Sequence, residues 1–126
     1  MEIIEKIQDD INIYRLIGRL DTNTSARFEQ KLFQTISGGS KKMIVDFKDL
    51  NYISSAGIRL IFIAYKALMR EDGRIILCSM QKYVREIFKM TGIDSFVPIL
   101  DNMDEALKAF GLSGTVSPID DPNKLL

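Results

Sequence analysis

The first twenty residues carry the apolar pattern of a β-hairpin. Residues 3–7 and 11–20 are rich in isoleucine, and the polar triplet Gln8-Asp9-Asp10 separates them. Two β-rich segments joined by a short polar turn predict an antiparallel pair of strands. Four residues that can cap a helix, Asp21-Thr22-Asn23-Thr24, come directly afterwards. We therefore expect the hairpin to lead into a helix.

Beyond residue 24, apolar residues at helical spacing alternate with short apolar runs that are typical of buried strands. Pro98 restricts the last of these strands to an edge, and Asn102 with Glu105 resembles a capping box. The first predicted helix buries Phe28, Leu32 and Ile36, and a strand at 43–47 and a loop at 48–55 follow it. The second helix buries Ile58, Ile61, Phe62, Tyr65, Leu68 and Met69, and a strand at 75–78 follows it. The third helix, which Ser79 caps, buries Val84, Ile87 and Phe88, and it is followed by an edge strand at 96–99 and a last helix that buries Met103, Ala106, Leu107 and Phe110.

This order predicts an α/β fold. Strands that alternate with helices pair in parallel through right-handed crossovers, and the hairpin adds one antiparallel strand. The sheet should therefore be mixed but mostly parallel, with helices covering it. A length of 126 residues fits one domain, which we place at residues 1–111. Residues 112–126 are dominated by Ser, Gly, Pro and Asp, so we expect a loosely ordered tail.

Composition excludes several kinds of chemistry. The 17 basic and 17 acidic residues cancel, which argues against binding to a nucleic-acid backbone. The chain has no histidine, so imidazole catalysis and histidine metal sites are excluded. No apolar run is long enough to span a bilayer, and the N-terminus does not resemble a signal peptide. We therefore expect a cytoplasmic protein that is not a conventional enzyme, with no catalytic residues, cofactor or small-molecule substrate.

Two serines stand at the predicted start of the second helix. Ser54 and Ser55 are followed by the small residues Ala56 and Gly57. One interpretation is that a serine caps the helix, which is a common role for this residue. The other is a phosphoacceptor, because the positive end of a helix dipole tolerates the added negative charge.

The second helix also carries a second apolar face, formed by Leu60, Ile63 and Ala67. A helix that is apolar on most sides is usually buried. If part of this face is exposed, it is a candidate site for a protein partner.

A magnesium-binding site is a further hypothesis for this chain, beside the helix cap and the phosphoacceptor. Asp21, Asp46 and Asp49 could meet at one sheet edge and supply oxygen ligands, as in a receiver domain. A receiver would also need a lysine near its phosphoacceptor, and residues 96–100 contain none. Cys78 lies in a predicted buried strand, where a small core residue is the simpler interpretation.

Two segments carry a resemblance to a known family. Residues 44–58, which read IVDFKDLNYISSAGI, resemble the central motif of STAS domains, and more specifically that of the bacterial anti-sigma factor antagonists. The upstream Gly18-Arg19-Leu20-Asp21 resembles the family's Gly-x-Leu-Asp turn. The resemblance implies a protein that binds an anti-sigma factor serine kinase while unphosphorylated. That kinase then phosphorylates it, and a PP2C-type phosphatase reverses the modification.

The resemblance also implies which residues form the site. The family's Asp-Ser-Ser/Thr-Gly motif places its aspartate at Ser54, its phosphoacceptor at Ser55 and its next hydroxyl at Ala56. Ser54 is then a second candidate acceptor, and Asp21 matches the acidic residue beside the acceptor. The implied partner-contact residues are Asp21, Thr22, Ser54, Ser55, Ala56, Gly57, Arg59 and Leu60. A STAS-type scaffold in another signalling or transport assembly, with Ser55 only as a cap, is the alternative function.

Overall fold

The computed structural model describes residues 1–111, which build one mixed β-sheet with helices on both faces. The predicted tail at 112–126 lies outside these residues. A 3-10 turn, Ile93–Ser95, precedes the last strand. The elements are β1 (Glu2–Gln8), β2 (Ile11–Leu20), α1 (Thr22–Ser37), β3 (Lys42–Ile53), α2 (Ser55–Arg70), β4 (Arg74–Cys78), α3 (Lys82–Thr91), β5 (Ile99–Leu100) and α4 (Met103–Ala109).

The five strands lie side by side in the order in which they occur along the chain. β1 pairs with β2 in antiparallel orientation, and the other three pairings are parallel. Each parallel pairing is connected through a helix, as short crossovers require. The predicted α/β class, the N-terminal hairpin and the mostly parallel sheet are confirmed.

Alternate residues of the central strands point to two separate cores. In β4, Ile75 and Leu77 join the larger core with α1, α2 and α3, whereas Ile76 and Cys78 join a smaller core with α4. This division follows from the two-residue period of a strand. The large core therefore lies on the face of the sheet that α2 covers, and the N-terminus of α2 is on this face.

The predicted loop at 48–55 is wrong over most of its length, because β3 continues to Ile53. Leu50 and Ile53 are buried and pair with Gly18 and Leu20 of β2. The pairing contains two register shifts, so the apolar positions in this half of β3 do not alternate regularly. A long partner strand, rather than local sequence, keeps this polar segment in the sheet.

Three local predictions near the C-terminal half also need correction. Gln81, and not Ser79, is the N-cap of α3, because Ser79 takes a left-handed conformation with φ 65°. The strand predicted at 96–99 forms only at Ile99–Leu100, at the sheet edge. The capping box at Asn102 is half made. The Asn102 side chain accepts from the Glu105 N–H at 2.9 Å, but the Glu105 carboxylate accepts from the residue before Asn102.

Candidate functional site

The end of β2 and the start of α2 are joined by one backbone hydrogen bond. The Ser54 N–H donates to the Leu20 carbonyl at 2.9 Å. Asp21 and Ser55 each follow directly after this bonded pair, so the two predicted motifs meet at one edge of the sheet. Gly57 lies over the same junction, where an added Cβ would come within 2.9 Å of both Leu20 and Ile53. The packing therefore requires glycine at position 57.

Asp21 is the N-cap of α1. Its Oδ1 accepts hydrogen bonds from the backbone N–H groups of Asn23 at 3.0 Å and Thr24 at 3.1 Å. The Thr24 hydroxyl accepts in return from the Asp21 N–H at 2.9 Å, which completes a capping box. The predicted capping role of the segment at 21–24 is therefore confirmed, and Thr22 lies exposed beside it.

These contacts lower the pKa of Asp21 below its usual value of 3.8. The largest cause is the backbone hydrogen bond from Thr24. Because the folded state favours the carboxylate, the cap stabilises the protein above the usual pKa of the group. That stabilisation is lost as the pH falls through the lowered pKa, so the charge of Asp21 is constant at neutral pH.

Arg19 is a neighbour of this site that sequence reasoning did not assign. Its guanidinium lies 4.1 Å from the centre of the Tyr52 ring, and its Nε lies 3.8 Å from Asp21 Oδ2. Both distances fit a cation held by an aromatic face and a carboxylate. Its position inside the Gly18-Arg19-Leu20-Asp21 turn was the signal that could have identified it.

The structure separates the roles of the two serines. Ser54 is the N-cap of α2, and its Oγ accepts from the Gly57 N–H at 3.3 Å. Ser55 is the first residue of the helix and is exposed. The capping interpretation therefore applies to Ser54. The Ser55 hydroxyl is left accessible at the positive end of the helix dipole.

This division predicts unequal effects of two neighbouring substitutions on stability. Ser54→Ala should lower the free energy of unfolding by about 1 kcal/mol, because the Gly57 N–H loses its acceptor. Ser55→Ala, the matched control, should change it by less than about 0.5 kcal/mol, as expected for an exposed side chain. Urea denaturation of the two variants measures the difference. Equal losses would contradict the assignment of Ser54 as the cap.

The remaining predicted contact residues do not all reach the surface. Ala56 is partly exposed and Arg59 is exposed. Leu60 is only 4% exposed and belongs to the large core together with Leu32 of α1. The prediction that Leu60 contacts a partner is therefore wrong, because its side chain is buried in the large core, to which α1 also contributes.

The second apolar face of α2 is thus divided, and one part of it is exposed. Ile63, the middle member of that face, is 42% exposed. Beside it Phe62 and Tyr65, which sequence reasoning assigned to the core, stack on each other and contact Phe96, a residue that is itself exposed.

The three aspartates considered for magnesium have separate partners. Asp21 caps α1, Asp46 accepts from the Lys48 N–H at 2.9 Å, and Asp49 pairs with Arg15 at 2.6 Å. Within residues 1–111, no group of three or more Asp, Glu or Cys side chains is placed to hold a metal ion. The structure does not bring these carboxylates together as the magnesium hypothesis requires.

Cys78 is buried in the small core, as expected. Burial raises the pKa of its thiol to about 11, so the thiol stays protonated at neutral pH.

Among the helices of residues 1–111, each falls short of the length and apolar character that a bilayer crossing requires.

Comparison with known proteins identifies the family to which this chain belongs. The STAS domain model matches residues 2–106. BtrV of Bordetella bronchiseptica, named as an anti-sigma factor antagonist, is 30% identical over 102 residues, which cover 81% of this chain and 88% of BtrV. The sequence resemblance to STAS domains is therefore confirmed by matches that span most of the chain.

Solved structures share the fold. A Thermotoga maritima structure, described as an anti-sigma factor antagonist, superposes with a TM-score of 0.82 at 24% identity and covers 85% of this chain and 92% of its own. The anti-sigma factor antagonist SpoIIAA in its unphosphorylated form gives 0.72 at 21% identity, covering 88% and 100%. The phosphorylated form of the Bacillus protein gives 0.70 at 22%, covering 86% and 99%. This chain belongs to the STAS domain family, among the anti-sigma factor antagonists.

Proposed function

We propose that this protein binds an anti-sigma factor serine kinase while unphosphorylated and that phosphorylation of Ser55 ends the binding. A PP2C-type phosphatase restores the unphosphorylated form. The protein acts in the cytoplasm as a binding protein and not as an enzyme, and ATP is a substrate of the kinase. The observation that carries this proposal is the exposed Ser55 hydroxyl at the start of α2, next to a Ser54 that already caps the helix.

The physical effect of the modification supports a switch. A phosphate brings about −1.5 to −2 charges to Ser55 at neutral pH. Within the fold this charge lies at a helix N-terminus, where it is tolerated. In a complex it would be placed beside the Asp21 carboxylate and removed from water, which costs several kcal/mol. The fold therefore survives phosphorylation, whereas the complex does not.

The contact surface that we propose is centred on the junction of β2 and α2. Leu60 is omitted because it is buried. Gly57 contributes by allowing the close approach of α2 to Leu20 and not by its own exposure. The proposed contact residues are Asp21, Thr22, Ser54, Ser55, Ala56 and Arg59. We assign this surface to a STAS domain at residues 1–111.

A paired pull-down tests the proposal. Ser55→Ala and Ser55→Asp variants serve as baits in a lysate of the source organism, with mass spectrometry as the readout. The proposal predicts that Ser55→Ala captures a serine kinase of the anti-sigma type and that Ser55→Asp does not. Capture of the same proteins by both baits would instead favour the alternative, a STAS-type scaffold in which Ser55 has no switching role.

A further inference from the structure

Within residues 1–111, Arg59 is a cation without a carboxylate partner, on an otherwise uncharged stretch of helix. It is the only ionised residue between Ala56 and Tyr65, and the whole of α2 contains no Asp or Glu. None of the ion pairs within residues 1–111 involves Arg59, and its side chain is exposed. Arg19, the other arginine near Ser55, is already held between Tyr52 and Asp21. Arg59 is therefore the cation available to a new negative charge at this site.

The helix places Arg59 within reach of the Ser55 hydroxyl. The two residues are four positions apart in α2, so they lie one above the other on the same face. Helical side chains lean toward the N-terminus, which directs the long Arg59 side chain back over the turn that begins at Ser55. An acidic group four positions before a basic one is also the favourable order for such a pair.

We propose that Arg59 binds the phosphate of phosphorylated Ser55 and thereby serves as the positioning residue of the phosphorylated state. This inference rests on the proposed function, because it assigns a role to Arg59 only once Ser55 carries a phosphate. The planar guanidinium fits two phosphate oxygens at once, in a way that a lysine ammonium does not. In the unphosphorylated protein, Arg59 stays free to contact the partner.

Phosphorylation then changes the surface in two ways. It adds a negative charge at Ser55, and it withdraws the positive charge of Arg59 from the partner. The charge of the phosphate alone sets the change in net charge. The kinase loses, in addition, the contact with the Arg59 guanidinium. The Ser55→Asp variant has a shorter side chain and one charge, so it reproduces only part of this change.

The test measures the second pKa of the phosphate in the full chain. Phosphoserine is incorporated at position 55 by an orthogonal translation system, and the ³¹P chemical shift is followed between pH 5 and 8. This pKa is near 6 without specific partners. A cation held beside the phosphate favours the dianion, so Arg59→Gln should raise the pKa by about 0.2–0.4 units. Arg59→Lys, which keeps the charge but not the fork, should give an intermediate value.

Lys66→Gln is the matched control, because Lys66 is an exposed cation on the same helix. It lies 11 residues from Ser55, or about 16 Å along the axis. This distance exceeds the screening length of about 10 Å at 0.1 M salt, so its removal should leave the pKa unchanged. An Arg59→Gln value equal to the parent, or equal shifts in the two glutamine variants, would overturn the inference.

The measurement separates this inference from the proposed function. The phosphate is placed during translation, so no kinase takes part in the ³¹P experiment. Failure of the proposed function appears as equal binding of the unphosphorylated chain and the phosphoserine chain to the kinase that the Ser55→Ala bait captures, or as capture of no such kinase. Failure of the Arg59 assignment appears as an unchanged phosphate pKa. A melting curve of unphosphorylated Arg59→Gln confirms that the variant is folded before its pKa is interpreted.

Discussion

Leu20→Ala is expected to lower the free energy of unfolding by about 2–5 kcal/mol, the range for a leucine truncated in a packed core. Leu20 is fully buried, and its side chain supports Gly57 at the start of α2. The substitution leaves a cavity directly beneath the junction that positions Asp21 and Ser55. We therefore expect it to weaken binding to the kinase as well as to destabilise the fold.

Leu32→Ala is the matched control for this effect. Leu32 is also fully buried, but it lies near the middle of α1, away from the junction. Both variants should lose similar stability in urea denaturation. At a temperature where both are folded, calorimetric titration with the captured kinase should show weaker binding only for Leu20→Ala. Equal affinities of the two variants would mean that the β2–α2 junction does not determine the contact surface.

The sequence was sufficient for the elements that local pattern specifies. Isoleucine-rich strands around Asp9-Asp10 formed the hairpin, and the capping residues at 21–24 began α1 as predicted. Gly92 ends α3 in a left-handed conformation with φ 78°, which glycine adopts without strain. In each case the residues that determine the structure are neighbours in the chain.

The errors arose where distant residues determine the structure. The second half of β3 is held by β2 across register shifts that no local pattern records. Leu60 is buried in the large core, to which α1 and α2 both contribute, and the sequence of α2 alone does not specify which of its sides is covered. The local pattern did not separate the roles of the two serines either, and only the family resemblance distinguished Ser55 from Ser54. The Ser54 N–H donates a hydrogen bond to the carbonyl of Leu20, a residue from another part of the chain, and this bond fixes where α2 begins.

The central claim is that a phosphate on Ser55 separates this protein from its kinase. The cost of burying a dianion beside Asp21 is several kcal/mol, and every 1.4 kcal/mol changes an affinity about tenfold. The phosphorylated chain should therefore bind at least about 100-fold more weakly than the unphosphorylated chain.

The most direct measurement compares the dissociation constants of these two forms for the purified kinase that the Ser55→Ala bait captures. The phosphorylated form is the chain with phosphoserine incorporated at position 55, and a non-hydrolysable ATP analogue keeps the unphosphorylated form unmodified during the titration. The account predicts tight binding of the unphosphorylated chain and a loss of at least about two orders of magnitude with the phosphate. Equal dissociation constants would contradict the switch.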